Sequence, residues 1–161
     1  MNWRNMTVDD VKSVMRVGDE GHPDLPESKA VFEERLKLFP EGCFVLVEDD
    51  EIRGYAISHP IRRHQPPALD SLLGEIAADA DHYYIHDVAI LPGSRGRGLA
   101  AECIGRLLVI AKPYSAACLV SVYGTSTFWS RFGFVAAPVD ETLSTKLLDY
   151  GPDAIFMTRQ D

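Results

Sequence analysis

A strand-like run of aromatic, β-branched and apolar side chains ending at Ile90 leads through a Pro92-Gly93 turn into Arg95-Gly96-Arg97-Gly98, which opens directly onto a helical pattern at Leu99-Ala100. Glycines lack a Cβ, so successive backbone N–H groups can point at one ligand, and the first turn of the following helix adds unpaired donors and the positive end of its dipole. Arg95 and Arg97 add full charges. The chemistry such a junction performs is the holding of a phosphate-bearing ligand.

Two patterns compete for these residues. Gly96 to Ala101 fits the dinucleotide fingerprint G-x-G-x-x-G/A. That fold turns tightly from strand to first glycine, however, and places a carboxylate about 20 residues on to hold a ribose. Here Leu91 to Arg95 intervene, and the later stretch is Cys118-Leu119-Val120-Ser121-Val122, without a carboxylate. The other reading is R-x-x-G-x-G/A over Arg95 to Ala100, preceded by Val88-Ala89-Ile90 and Pro92. This resembles the pyrophosphate loop of the GNAT superfamily, the acyl-CoA-dependent N-acetyltransferases. A second segment agrees: Phe128-Trp129-Ser130-Arg131-Phe132-Gly133-Phe134 is similar to that superfamily's aromatic pair, three residues, then Gly-Phe. The resemblance covers nearly the whole chain, with its specific motifs at 83–100 and 128–134.

The resemblance implies a mixed, mostly antiparallel central sheet of six to seven strands with helices on both faces, splayed between the strands at 84–90 and 117–123. The pantetheine of acetyl-CoA would lie in the splay, paired with backbone groups of Val88 and Ile90 as a short extra strand. The amides of Arg95, Gly96, Arg97, Gly98, Leu99 and Ala100 would hold the pyrophosphate, and a backbone N–H around Ala89 or Ile90 would face the oxyanion. The activity implied is acetyl transfer to a primary amine of a small molecule or peptide, by direct attack in a ternary complex. A non-catalytic acyl-CoA-binding or sensing protein on the same fold stays as the alternative.

Acetylating an amine requires a base. An alkylammonium of pKa about 10.4 is neutral in only about one part in a thousand at neutral pH, so its proton must go somewhere near the thioester. Strand alternation sets Tyr84, His86 and Val88 on one face and Ile85, Asp87 and Ala89 on the other, unless a bulge intervenes. His86, with an ordinary pKa of about 6.5, is the candidate base, and Tyr84 a candidate relay or orienting group. Asp87 orients His86 only if the strand is bulged. Where the superfamily commonly carries a Tyr that protonates the departing thiolate, this chain has Trp129, whose indole N–H is too weak an acid. Water, Ser130 or Tyr123 remain for that step.

Composition bounds the partners. The 161 residues carry a net charge of −8 and a pI of about 5.0, unlike the basic face of a nucleic-acid binder but suited to a cationic acceptor. Residues 59–79 and 19–27 flank the expected acceptor pocket, with Glu20, Asp24 and Glu27 as candidate partners of a cation. His59, His64 and His82 read as loop or strand-end histidines. No run reaches the roughly 18 apolar residues of a membrane span, and no apolar stretch of signal-peptide length occurs near Met1. Cysteines 43, 103 and 118 lack metal-ligand spacing and sit in apolar patterns, so reduced core thiols, no bound metal and a cytoplasmic location are expected. The length suits one domain, residues 1–161, as a monomer or homodimer.

The elements that must position these groups follow from periodicity. Thr7 caps a helix with Val8, Val11, Val14 and Met15 inward, closed by Gly18; a second helix starts at Glu27 or Ser28 and stops at Pro40-Glu41-Gly42. Cys43–Val47 and Ile52–Ser58 form a hairpin. A long connection follows, with a short helix at Leu69–Leu73. Leu99–Ala111 is helical, Ala117–Tyr123 a buried strand, and a helix capped at Thr125 or Ser126 ends at Gly133. Phe134-Val135 and Ala154–Thr158 are the last strands.

Overall fold

Alternating and continuous apolar runs set the strands, and stretches of period near 3.6 set the helices that cover them. The structure, a computed structural model, describes residues 1–160. In chain order come β1 (Asn2–Asn5), α1 (Val11–Gly21), α2 (Lys29–Leu38), β2 (Cys43–Glu48), β3 (Glu51–Ile61), β4 (His82–Ile90), α3 (Leu99–Ala111), β5 (Ala116–Ser121), α4 (Ser126–Ser130), β6 (Val135–Ala136), α5 (Glu141–Leu148) and β7 (Ile155–Gln160). The seven strands make one sheet in the order β1-β2-β3-β4-β5-β7-β6. Only β4 and β5 run parallel; every other pair is antiparallel. This is the mixed, mostly antiparallel architecture expected. No helix among the described residues is long and apolar enough to cross a membrane.

One face of the sheet buries α3: Cys103, Ile104 and Leu107 pack with Tyr83, Ile85, Leu119 and Phe134. The other face buries α1 and α2 through Val11, Val14, Val17 and Phe32 against Val45, Tyr55 and Ile57. Further along that second face, Leu143 of α5 covers Tyr84, Cys118 and Phe156. All three cysteines are buried and free.

Several boundaries differ from the sequence reading. Gly18 does not end α1, which runs on to Gly21. A Cβ at Gly18 would lie 2.9 Å from the Tyr55 hydroxyl, so the glycine serves close helix–sheet approach. Strand β3 continues through Pro60 to Ile61. β2 pairs with it only as far as Ile57, so Pro60 sits where the strand has one neighbour and a missing N–H is tolerated. Leu69–Leu73 is a turn with no helix, and β5 stops at Ser121, short of Tyr123. Helix α5, capped by Asp140 through the Leu143 amide at 2.8 Å, was not anticipated; its one-turn apolar pair Leu143 and Leu147 is too sparse a pattern to mark it.

Two features of β4 set up the site. Its register with β3 jumps from Ile57↔Asp87 to Ser58↔Ile85, so His86 is the extra residue of a β-bulge. Pairing with β5 ends at the same place, covering only His82–Ile85 against Ala116–Leu119. Beyond Ile85 the sheet opens.

Candidate active site

The opening between β4 and β5 is a cleft of about 880 Å³. Val88, Ala89 and Ile90 form one wall, Leu119 and Val120 the other, and Phe128, Trp129 and Phe132 close it from α4 and the turn after it. Toward β5, the edge of β4 from His86 to Ile90 has no strand partner among the described residues. Trp129 is packed edge-on to Phe128 and Phe134, with ring centroids 5.2 and 5.8 Å away. It walls the cleft by packing.

The loop after β4 forms the far end. Ser94, fully buried in a 3-10 turn, accepts a hydrogen bond from Arg53 Nε at 3.1 Å and anchors the loop to β3. Gly96 and Gly98 have φ of +83° and +75°, the left-handed region that glycine enters without steric cost, and Gly98 is the N-cap of α3. A Cβ at either would meet nothing within 4 Å. The first helical hydrogen bond joins the Glu102 amide to the Gly98 carbonyl at 3.1 Å, and the Arg95 amide donates to Pro92. Between them, the six consecutive N–H groups from Gly96 to Ala101 have no partner among the described residues. The donor run is thus displaced by one residue from the expected Arg95–Ala100.

The arginines divide. Arg95 lines the cleft, and its Nε donates to the Ile90 carbonyl at 2.8 Å, tying loop to strand. Arg97 is not in the cleft wall; it pairs at the surface with Glu48 at 3.3 Å. Arg131 lines the cleft instead. Its place in the aromatic segment could have signalled this, since the residue lies one turn from the helix end that faces the gap.

The bulge overturns the simple alternation. His86 and Asp87 both reach the α1/α2 face, where each meets a partner distant in sequence. His86 Nε2 bonds Glu27 Oε1 at 2.6 Å, with side chains only 2% and 8% exposed. Asp87 does not orient His86: it bonds His22 Nε2 at 2.8 Å and accepts a short hydrogen bond from the Tyr55 hydroxyl. Burial disfavours the charge on Glu27, but the charge and hydrogen bond of His86 prevail and hold its carboxyl below the usual range. Asp87 is likewise held ionised, against burial, by His22 and Tyr55. Burial alone would lower the His22 pKa, and the Asp87 contact raises it overall. Because an ionised Glu27 can only accept, Nε2 of His86 carries the proton of this bond, and Nδ1 is buried with no hydrogen-bond partner among the described residues.

Tyr84 does not line the cleft. It is fully buried, its ring 5.8 Å from that of His86, and burial together with neighbouring Tyr150 raises its pKa well above the ordinary value. The structure thus places Tyr84 behind the imidazole, outside the cleft wall. His59 lies near the end of β3 and is buried: it is 1% exposed, 6.4 Å from the His86 ring, and burial pushes its pKa down to about 3. Sequence reading had no means to find Glu27–His86 or His22–Asp87 as pairs, since the partners stand 59 and 65 residues apart.

Two consequences are measurable. Tyr55→Phe removes a hydrogen bond to a buried carboxylate, which costs about 1.5–3 kcal/mol and roughly 5–10 °C of melting temperature in a chain this size. The His22–Asp87 pair also makes stability pH-dependent. A raised histidine contributes fully below its unfolded pKa of about 6.5 and loses that as pH rises through the folded value; a depressed Asp contributes above about 3.9 and loses it as pH falls. The melting-temperature gap between wild type and His22→Gln is therefore widest between about pH 4 and 6.5 and shrinks as pH rises through the raised folded value.

The family model of the acetyltransferase (GNAT) family matches residues 8–134. No curated protein matches the sequence. Among solved structures, the loading GNATL domain of CurA from Lyngbya majuscula is similar, with a TM-score of 0.80 at 13% identity over 99% of this chain and 96% of that one. Naa50 of Arabidopsis thaliana, in complex with a bisubstrate analogue of CoA and an acetylated peptide, gives 0.71 at 10% identity over 98% and 95%. Rv2747 of Mycobacterium tuberculosis, in complex with CoA, gives 0.69 at 15% identity over 100% and 99%. At these identities the likeness is one of fold.

Proposed function

Because this chain belongs to the acetyltransferase (GNAT) family, we propose that it moves an acetyl group from acetyl-CoA to a primary amine of a small molecule or peptide, in one ternary complex. The observation that carries this reading is the run of six unpartnered amides, Gly96 to Ala101, opening onto a cleft that splits the sheet. Such donors cost stability unless a ligand or water satisfies them, and a pyrophosphate is the group they fit. Arg131 and Arg95 add charge at that end. The unpaired edge of β4 would bond the pantetheine amides through backbone groups of Val88 and Ile90, the Ile90 carbonyl already accepting once from Arg95.

In this reading acetyl-CoA supplies the thioester, and the protein supplies position and proton transfer. Glu27 holds His86 in the tautomer whose Nδ1 takes the amine proton as nitrogen attacks. A backbone N–H of Ala89 or Ile90 faces the oxyanion, where a preorganised donor is worth more than one in water.

The reading is tested by a thermal-shift titration with acetyl-CoA, CoA and NADH, followed by a panel of primary amines with free thiol as the readout. A ligand that binds only the folded chain raises the melting temperature as its concentration passes the dissociation constant. Stabilisation by both CoA species and thiol release with some amine supports the proposal. Stabilisation by NADH alone, or by none of the three, overturns it; CoA binding with no turnover favours the acyl-CoA-binding alternative.

A further inference from the structure

We propose that Tyr123 is the group that hands a proton to the departing CoA thiolate, a step for which Trp129 is unsuited; this rests on the acyl-transfer reading above. Tyr123 lies just past the end of β5, on the side of the splay facing β4, and lines the same cleft as His86 and Val88. It is 45% exposed. Its backbone has φ +54°, followed by Gly124 at +70°. A bulky residue pays for the left-handed region, and the consequence here is that the ring turns toward α1.

There the side chain is held on two sides. Its ring stacks on His22, centroids 5.7 Å apart and planes 6° from parallel, and His22 is itself fixed by Asp87. The Asp24 amide donates to the Tyr123 hydroxyl at 3.3 Å. A hydroxyl that accepts from a backbone N–H keeps its own proton free to donate. The other hydroxyls near the gap are committed or misplaced. Thr125 donates to the Val122 carbonyl at 2.7 Å, and Ser130 to the Thr127 carbonyl at 2.7 Å; Ser94 belongs to the phosphate end.

The step balances without a further reactant. As the tetrahedral intermediate collapses, the C–S bond breaks and its electron pair goes to sulfur. The proton moves from Tyr123 Oη to that sulfur, giving CoA thiol and tyrosinate. The half-exposed tyrosinate then recovers a proton from water, while the amine's proton has gone to His86.

The experiment needs no acceptor amine. Dissociation constants of CoA and desulfo-CoA are measured by calorimetry for wild type and Tyr123→Phe, at a pH where part of the CoA is thiolate. A tyrosine that donates to sulfur makes wild type prefer CoA by about fivefold or more; Tyr123→Phe loses that preference and still binds desulfo-CoA as wild type does. The thiolate absorbance of bound CoA, followed against pH, moves to higher pH in the variant. The phenyl ring preserves the stack, and unchanged desulfo-CoA affinity reports an intact fold. An equal preference for CoA in both proteins overturns the assignment of Tyr123 alone. Failure of either ligand to bind wild type overturns the CoA reading and this proposal with it.

Discussion

Gly98→Glu is expected to weaken acetyl-CoA binding by about 100-fold or more while the chain still folds. Gly98 sits at φ +75°, so a side chain there costs about 1–2 kcal/mol of backbone strain, a few degrees of melting temperature. Inside the protein the new Cβ meets nothing within 4 Å, so no core packing is lost. The carboxylate instead projects into the space faced by the amides of Gly96 to Ala101. It occupies those donors and repels the pyrophosphate. The measurement is a thermal-shift or calorimetric titration, with Gly98→Ala as control: that variant carries the same strain without the charge and should lose about tenfold or less. If Gly98→Glu binds acetyl-CoA as tightly as wild type, the cofactor does not sit on this loop.

His86→Ala is expected to lower kcat by about 10²–10⁴-fold, with acetyl-CoA affinity unchanged. The amine must lose a proton during attack, and His86 is the titratable side chain of β4 that lines the cleft and keeps a lone pair free of Glu27. In the proposed complex the cofactor is held by backbone some residues away, so its binding does not report on the imidazole. Glu27→Gln should fall between wild type and His86→Ala, because an amide holds the ring less firmly and removes the charge that favours a protonated imidazole. Equal kcat in wild type and His86→Ala, with an amine that supports turnover, would remove His86 as the base.

Local and non-local features were unequally legible. The loop from Arg95 to Ala100 could be read directly because the role proposed for it rests on neighbouring backbone groups: glycine spacing, a preceding strand and a following helix suffice to line up the donors. The one-residue displacement, with Arg95's amide used by Pro92 and Arg97 diverted to Glu48, is a matter of turn geometry that residue types do not encode. The core positions Val11 and Val14 of α1 were likewise visible as periodicity. Helix α5 was missed because its few apolar residues matter only once β4, β5 and β7 present a surface to cover.

The sequence by itself determined the sheet with its flanking helices, the glycine-rich loop proposed to hold the cofactor and the presence of His86 on the strand before it, since each is carried by residues adjacent along the chain, where propensity and spacing act. Only the tertiary structure decided the proton-handling groups. A bulge that a period-two pattern cannot foresee turned His86 and Asp87 to one face, and folding brought His22 and Glu27 to them from the connection between α1 and α2, and Tyr55 from β3. Charge pairs of this kind depend on distances between elements, and those are fixed by how the core packs.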